Sequence, residues 1–304
     1  MLRQRTIQKP VHAIGIGVHS GLKVRMTLRP AGENTGIVFV RTDIEGRPSI
    51  RAEAMNVSDT TLSTSIAEHG VQVATVEHLL SAIWGLGIDN LTIELSAEEV
   101  PIMDGSAAPF IYLIRTVGIK EQAAPKQFIR IKREIKVTQG DASTCLKPYA
   151  GFKASYTFEA DHPVYNRHPK AATMDFSNTS YVEEVSRARS FGLVKELEQA
   201  QGINRCLGSS LENAVGIDDF QVLNEDGLRY NDEFVKHKLL DAIGDLYLLG
   251  KPVLGEFIGH KSGHALNNKL ARAVYRCEDA WEMVTVGEEE THKVHRPILQ
   301  PAAL

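Results

Sequence analysis

Apolar residues recur at three- and four-residue steps through FVKHKLLDAIGDLYLLG, Phe234 to Gly250. Val235, Leu239, Ala242, Leu246 and Leu249 share one face at about 100° per residue, which predicts a helix. Leu240, Ile243 and Tyr247 widen that face to roughly half the cylinder. On the other side His237, Asp241 and Asp245 stand at four-residue intervals, each about 5–6 Å from the next. Two readings of this stripe are open. It is a solvated polar face, or His237 and Asp241 converge, as i and i+4 side chains do, on one metal ion.

The same order of elements occurs twice. The first half runs VEHLLSAIWGLG, the strand NLTIELSA, then DGSAAPFIYLIRTVG; the second runs VKHKLLDAIGDLYLLG, the strand VLGEFIG, then SGHALNNKLARAVY. Each is helix, strand, helix, and each opens on Val, Glu or Lys, then His, so His78 is the counterpart of His237 and Gly105-Ser106 nearly that of Gly263-His264. Upstream lie strand-like runs, GLKVRMTLRPA and GIVFVRTDI in one half, FIRIKREIKV and FKASYTFEA in the other. This predicts an α+β chain of two pseudo-symmetric two-layer domains, each a small sheet with helices on one face, packed helix layer to helix layer. The polar, proline-containing KEQAAPKQF places the boundary near residue 125, giving domains 1–125 and 126–304. In that packing the polar stripe faces a partner helix carrying His78, where carboxylates without a partner or a metal are costly.

With 304 residues, 43% apolar and 24% charged, the chain has material for two ordinary cores. A net charge of −4 and the lack of a dense Lys/Arg block argue against a nucleic-acid partner. Lys132-Arg133, alternating with apolar residues, reads as the outer face of a strand. No stretch approaches the roughly 18 apolar residues of a membrane span and no signal segment opens the chain, so a cytoplasmic protein is expected. Cys145, Cys206 and Cys277 are few, odd in number and far apart, which suits reduced thiols and suggests neither a disulfide framework nor a CxxC-type structural zinc site.

His78, His237 and Asp241 together offer two nitrogens and one oxygen, the ligand set of a catalytic zinc that keeps a fourth position for water. HExxH is absent. Glu77 lies about 100° around the helix from His78; it is either the base beside that open position or a first-turn carboxylate behind a Thr75 N-cap. In GHKSGHALNN, Gly259 to Asn268, His264 sits in a glycine-bracketed loop where a helix begins, and Asp245 is placed to hold it charged. His12, His69, His168, His260, His292 and His295 read as ordinary exposed histidines.

TVEHLLSA, EVPIMDGSA, SRARSFG, LNEDGLRYNDEFVKHKLLDAIGDLYLLG and GHKSGHALNN, in that order, resemble the UDP-3-O-acyl-N-acetylglucosamine deacetylase family of lipid A biosynthesis, over nearly the whole chain. The resemblance implies two α+β domains, each with a family-specific insertion, and one zinc, for which iron(II) is a possible substitute. It implies His78, His237 and Asp241 as ligands, Glu77 as general base, His264 with its partner Asp245 as the cationic group, and Lys238 as a substrate-binding lysine; Lys261 is a further candidate, with Lys238, near the diphosphate. Ser190 falls where threonine is usual as an oxyanion donor; a serine hydroxyl donates the same bond with more rotamer freedom. At Ala160 relatives can carry an aromatic that stacks on uracil, and alanine cannot. The stretch 191–218 matches an insertion forming an apolar passage for the acyl chain, with Phe191, Leu62, Leu197, Cys206, Leu207, Leu211 and Ala214 as substrate contacts and Cys206 and Ser209 at a narrow point. A second reading of that stretch, compatible with the first, is a short helix and hairpin burying their own apolar faces. The implied activity is zinc-dependent hydrolysis of the N-acetyl amide of an acylated UDP-sugar by a monomer. The rivals are a non-catalytic binder, whose damaged metal or base position is not seen, and a kinase, whose phosphate loop is not seen.

Overall fold

The computed structural model describes residues 1–176 and 181–287. In the first half the strands are β1 (Arg3–Ile7), β2 (Val11–Ile16), β3 (Lys23–Pro30), β4 (Ile37–Arg41), β5 (Ser49–Arg51), β6 (Val57–Asp59), β7 (Ser65–Glu68), β8 (Val71–Val73), β9 (Leu91–Leu95) and β10 (Ile119–Pro125). Its helices are α1 (Glu77–Gly85) and α2 (Ala108–Val117). In the second half the strands are β11 (Gln127–Ile131), β12 (Ile135–Gln139), β13 (Ala142–Lys147), β14 (Phe152–Thr157), β15 (Ala171–Asp175), β16 (Phe191–Leu193), β17 (Val215–Ile217), β18 (Val253–His260) and β19 (Trp281–Thr285). Its helices are α3 (Tyr181–Glu184), α4 (Val194–Gly202), α5 (Glu233–Tyr247) and α6 (His264–Arg276).

The repeat is visible as topology. The first sheet has the order β2-β3-β9-β4-β5, and the second contains β12-β13-β18-β14-β15, with the pairings antiparallel, antiparallel, parallel, antiparallel in both. In each, the strand joining the two helices is central, β9 between α1 and α2, β18 between α5 and α6. A central strand is covered on both edges, and its apolar alternation reflects that: Leu91, Ile93 and Leu95 are buried, as are Val253, Gly255 and Phe257. Each half has one insertion before its first helix of the repeat: the three-stranded β6-β7-β8, and β16-α4-β17.

Two local expectations differ. FIRIKREIKV is two strands, because Lys132 and Arg133 form the turn where the chain leaves β11 for β12, their backbone N–H groups meeting the Ala280 carbonyl. KEQAAPKQF is largely the strand β10, paired antiparallel with β1; its alternating exposure comes from lying on a small two-stranded ribbon.

The helices lie between the sheets. α5 packs on β14, β15 and α6, α6 on β12 and β13, α2 on α1 and β2, and α1 crosses α5. Of the fifteen residues of α5, all but Lys236 and Lys238 are buried, so the polar stripe is not solvated. Each large apolar side chain on α5 contributes roughly 1.5–3 kcal/mol by burial, and one continuous core spans both halves. Gly244 sets how close the helices come: a Cβ there would lie 2.0 Å from the Glu77 carbonyl oxygen. That approach brings the start of α1 against the middle of α5. No helix among the described residues is long and apolar enough to cross a membrane.

Candidate active site

His78, His237 and Asp241 are brought together where α1 crosses α5, all buried. Asp241 Oδ1 lies 3.4 Å from His78 Nε2 and 3.4 Å from His237 Nε2. Ligands about 2.0–2.1 Å from a tetrahedral zinc stand roughly 3.3–3.4 Å apart, so the spacing fits one ion. Asp241 Oδ1 is buried and has no hydrogen bond among the described residues, and such an orphaned acceptor is costly unless a cation meets it. The other oxygen, Oδ2, accepts from Lys238 Nζ at 2.9 Å. His237 Nδ1 pairs with the Ala188 carbonyl at 3.0 Å, which places the proton on Nδ1 and leaves Nε2 as a lone pair. Burial drives the His237 imidazole down to about 3, keeping it neutral, as a ligand must be. Asp241 is held well below the usual carboxylate range: burial opposes its charge, and the Lys238 and His264 cations around it outweigh that.

Glu77 is the first residue of α1 and is buried. Its Oε2 accepts from the Thr64 N–H at 3.0 Å, and its Oε1 is 4.0 Å from His264 Nε2. Desolvation raises the Glu77 carboxyl, partly offset by His264 and His78. Thr75 does not cap α1. Val76 holds the N-cap position, and Thr75, at φ 58°, turns its hydroxyl to Glu99 at 2.9 Å. His264 opens α6, and its Nδ1 meets Asp245 Oδ2 at 2.9 Å. Desolvation lowers the imidazole, but Asp245 and Glu77 together lift it to about 9. Asp245 also accepts from Thr64 Oγ1 at 2.6 Å and Asn267 Nδ2 at 2.9 Å, so its buried charge is satisfied on three sides.

This cluster opens into a cavity of about 520 Å³ bordered by both insertions. Ser190, Phe191, Leu62, Leu197, Cys206, Leu211 and Ala214 line it, with Ser209 and Lys238. Leu207, expected among them, does not: its N–H is held by the His19 carbonyl and its side chain lies on Gly21, half exposed. Lys261 is also outside the lining, paired with Asp141 and with Glu159 at 2.9 Å. The insertion combines the two readings, though with no hairpin: β16 and β17 are parallel and bury Val215 and Ile217 with Phe191 and Leu193 packed against them, while α4 buries none of its residues and turns Val194, Leu197 and Ala200 to the cavity. Lys238 Nζ stands 5.6 Å over the Phe191 ring as well as on Asp241.

Sequence reasoning did not single out Thr64, Asn267, Ala188 or His19. His19 lines the cavity beside Cys206, its Nδ1 accepting the Cys206 N–H at 3.3 Å. Asn267, in the quoted GHKSGHALNN, could have been found from its spacing, three residues after His264 on α6. His12 and His69 are exposed, and His168 bonds the Asn231 carbonyl. His292 and His295 lie outside the described residues.

The family model for UDP-3-O-acyl N-acetylglycosamine deacetylases matches residues 4–276. The chain belongs to that family. It is 56% identical to the UDP-3-O-acyl-N-acetylglucosamine deacetylase of Marinobacter nauticus over 301 residues, 98% of this chain and 99% of the relative. The proteins of the same name from Hahella chejuensis and Chromohalobacter salexigens are each 56% identical, covering 94% and 99% of this chain and 94% and 99% of their own. Within this family, the buried His-His-Asp cluster at the α1–α5 crossing is the candidate metal centre.

Proposed function

We propose that this chain hydrolyses the N-acetyl amide of UDP-3-O-(3-hydroxyacyl)-N-acetylglucosamine, releasing acetate and the free 2-amine, the committed step of lipid A biosynthesis. The observation that carries this reading is the Asp241 Oδ1, with no hydrogen-bond partner among the described residues, lying 3.4 Å from both His78 Nε2 and His237 Nε2, with Glu77 and His264 beside it at the head of an apolar cavity. His78, His237 and Asp241 hold the metal; their nitrogen and oxygen donors suit zinc, with iron(II) the alternative. When bound, it supplies Lewis-acid polarisation of the acetamide carbonyl and of the water that attacks it.

Glu77 accepts the proton of that water. Its Oε2 is anchored by Thr64 and its raised affinity for a proton suits a base working near neutral pH. His264, cationic through Asp245, donates from Nε2 to the developing oxyanion and to the leaving amine. The Ser190 hydroxyl is a second donor from the cavity wall. Lys238 and Lys261 meet the diphosphate, Lys261 by exchanging its present carboxylate partners. Phe191, Leu62, Leu197, Cys206, Leu211 and Ala214 take the acyl chain.

The matching strand order on either side of residues 125 and 126 supports domains 1–125 and 126–304. A monomer is part of this reading, and three free cysteines suit the reducing cytoplasm. The test is metal analysis of the purified protein together with deacetylation by the wild type and by Glu77→Ala. Near-stoichiometric zinc and a loss of about 10²–10⁴-fold in the variant are expected. Absence of zinc, or full activity in the variant, removes the reading.

A further inference from the structure

The stripe on α5 has a fourth member. Glu233 is one turn ahead of His237, at the same four-residue interval as His237, Asp241 and Asp245. It is fully buried and accepts four hydrogen bonds. Arg189 gives three: its N–H at 3.0 Å and Nε at 2.8 Å to Oε1, and Nη2 at 3.2 Å to Oε2. The fourth is the Arg229 N–H to Oε2 at 2.6 Å. Arg189 Nη2 also donates to the Gly227 carbonyl at 2.8 Å.

Arg189 lies between two residues of the site. On one side is Ala188, whose carbonyl takes the His237 Nδ1 proton; on the other is Ser190, in the cavity wall. The Arg189 N–H and the Ala188 carbonyl share one peptide plane, so Glu233 fixes that plane directly; holding the Arg189 side chain on the same carboxylate also fixes its Cα–Cβ direction, and with it the point from which the peptide to Ser190 starts. The segment is held from outside as well: Ser190 N–H bonds the Gly105 carbonyl at 2.9 Å, and the Ser190 carbonyl accepts from Val215 at 2.7 Å. The Ser190 hydroxyl has only a long contact, 3.4 Å, to the Gly105 carbonyl, so its place is set by its backbone. A bidentate carboxylate–guanidinium pair is the stiffest such link between side chains.

We infer that Glu233 is a positioning residue that acts through Arg189 on both the Ala188 carbonyl behind the metal ligand His237 and the Ser190 hydroxyl. One carboxylate, on the helix that carries the ligands, thereby places the oxyanion donor relative to them. The Ser190 arm rests on the deacetylase reading above; the His237 arm rests only on metal binding.

The test compares wild type, Glu233→Gln, Ser190→Ala and the double variant. Zn²⁺ affinity is measured by competition with a chromophoric chelator, and kcat and KM with the acylated UDP-sugar. Glu233→Gln is expected to weaken Zn²⁺ binding about tenfold, as loss of support behind a ligand does, and to lower kcat about tenfold with KM little changed. In the Ser190→Ala background the loss in kcat should largely disappear, because the group being positioned is gone. Wild-type Zn²⁺ affinity, or kcat losses that simply multiply in the double variant, would overturn the inference; a purely structural role gives those results with a lowered Tm. Arg189→Lys, which keeps the charge and loses the fork, is the second variant should Glu233→Gln fail to fold, and the same pattern is expected of it. If the wild type binds Zn²⁺ but does not deacetylate, the functional reading fails while the affinity comparison still decides the His237 arm.

Discussion

Gly244→Ala tests whether the distance between two helices is what makes the metal centre. The new Cβ would stand 2.0 Å from the Glu77 carbonyl oxygen and 2.7 Å from its carbon, where ordinary contact begins at 3.4 Å. Both contacts are to backbone, so no side chain can swing away, and α1 must retreat from α5 by about 1.4 Å to relieve them. His78 travels with α1 and Asp241 with α5. Their 3.4 Å separation would grow to as much as about 4.8 Å, while two atoms bonded to one ion at 2.0–2.1 Å can be no more than about 4.2 Å apart. His237 and Asp241 share a helix and keep their spacing, so the ion loses one ligand of three. Zinc affinity should fall at least 10²-fold, and overpacking should cost about 1–3 kcal/mol of stability. The assays are zinc stoichiometry after dialysis against a chelator of graded strength, and urea melts of the metal-free protein. A folded Gly244→Ala variant with wild-type zinc affinity would refute the argument that the close approach builds the site.

The rate should be bell-shaped in pH: the acid limb reports Glu77, whose carboxyl burial raises, and the alkaline limb reports His264 near 9. Asp245→Asn should move the alkaline limb down, and a profile flat on that side would exclude a cationic His264. In metal-free protein the same raised imidazole makes a contribution to stability that is whole below its unfolded value of about 6.5 and is lost as pH rises through about 9; urea melts across that range should show the fall in wild type and not in His264→Gln. Leu197→Asp, on the cavity side of α4, should lower kcat/KM by about 50-fold on a long-chain substrate if roughly three buried methylenes lose an apolar wall, and leave a short-chain analogue unaffected; equal loss on both would place the acyl chain elsewhere. Added zinc should raise the Tm of the apo wild type, since binding only the folded state stabilises it, and should leave that of His78→Ala nearly unchanged.

How much was legible before the structure depends on where each residue's role is encoded. The His237, Asp241, Asp245 stripe is a property of one helix, and its period is written in the chain. That it is buried followed from the repeat, because two like halves have only their helix layers to cover with each other, and the shared strand order bears that out. Close approach is not written in the chain in the same way. Gly244 in DAIGDLY reads as a weak spot in a helix, and only the Glu77 carbonyl opposite explains why no larger residue fits. Thr64 is a hub, its N–H on Glu77 and its hydroxyl on Asp245. It stands just before β7 in an insertion, 13 residues from Glu77 and 181 from Asp245, so no local pattern carries it. Leu207 was misplaced for a related reason. Apolar character marks a residue as wanting cover without saying which surface supplies it, and the hydrogen bonds from 207 and 208 to the 18–19 segment turn this one outward.

The stripe also shows why burying four ionisable groups on one helix is tolerable. Unpaired, each buried carboxylate would cost several kcal/mol. Glu233 has Arg189, Asp245 has Thr64, His264 and Asn267, and His237 has the Ala188 carbonyl. Asp241 alone is left with an oxygen that no donor among the described residues meets, although Lys238 holds the other. In a segment where every other buried charge is matched, the one unmatched atom is where an additional positive charge belongs. Replacing Asp241 by Asn should therefore lose zinc binding, and it should also lower the stability of the metal-free protein near neutral pH, because the ionised carboxyl is held well below its usual range and Lys238 loses its partner. That second loss should fade as pH falls through the carboxylate range; zinc binding by the variant equal to wild type would refute the role of Oδ1 as a ligand.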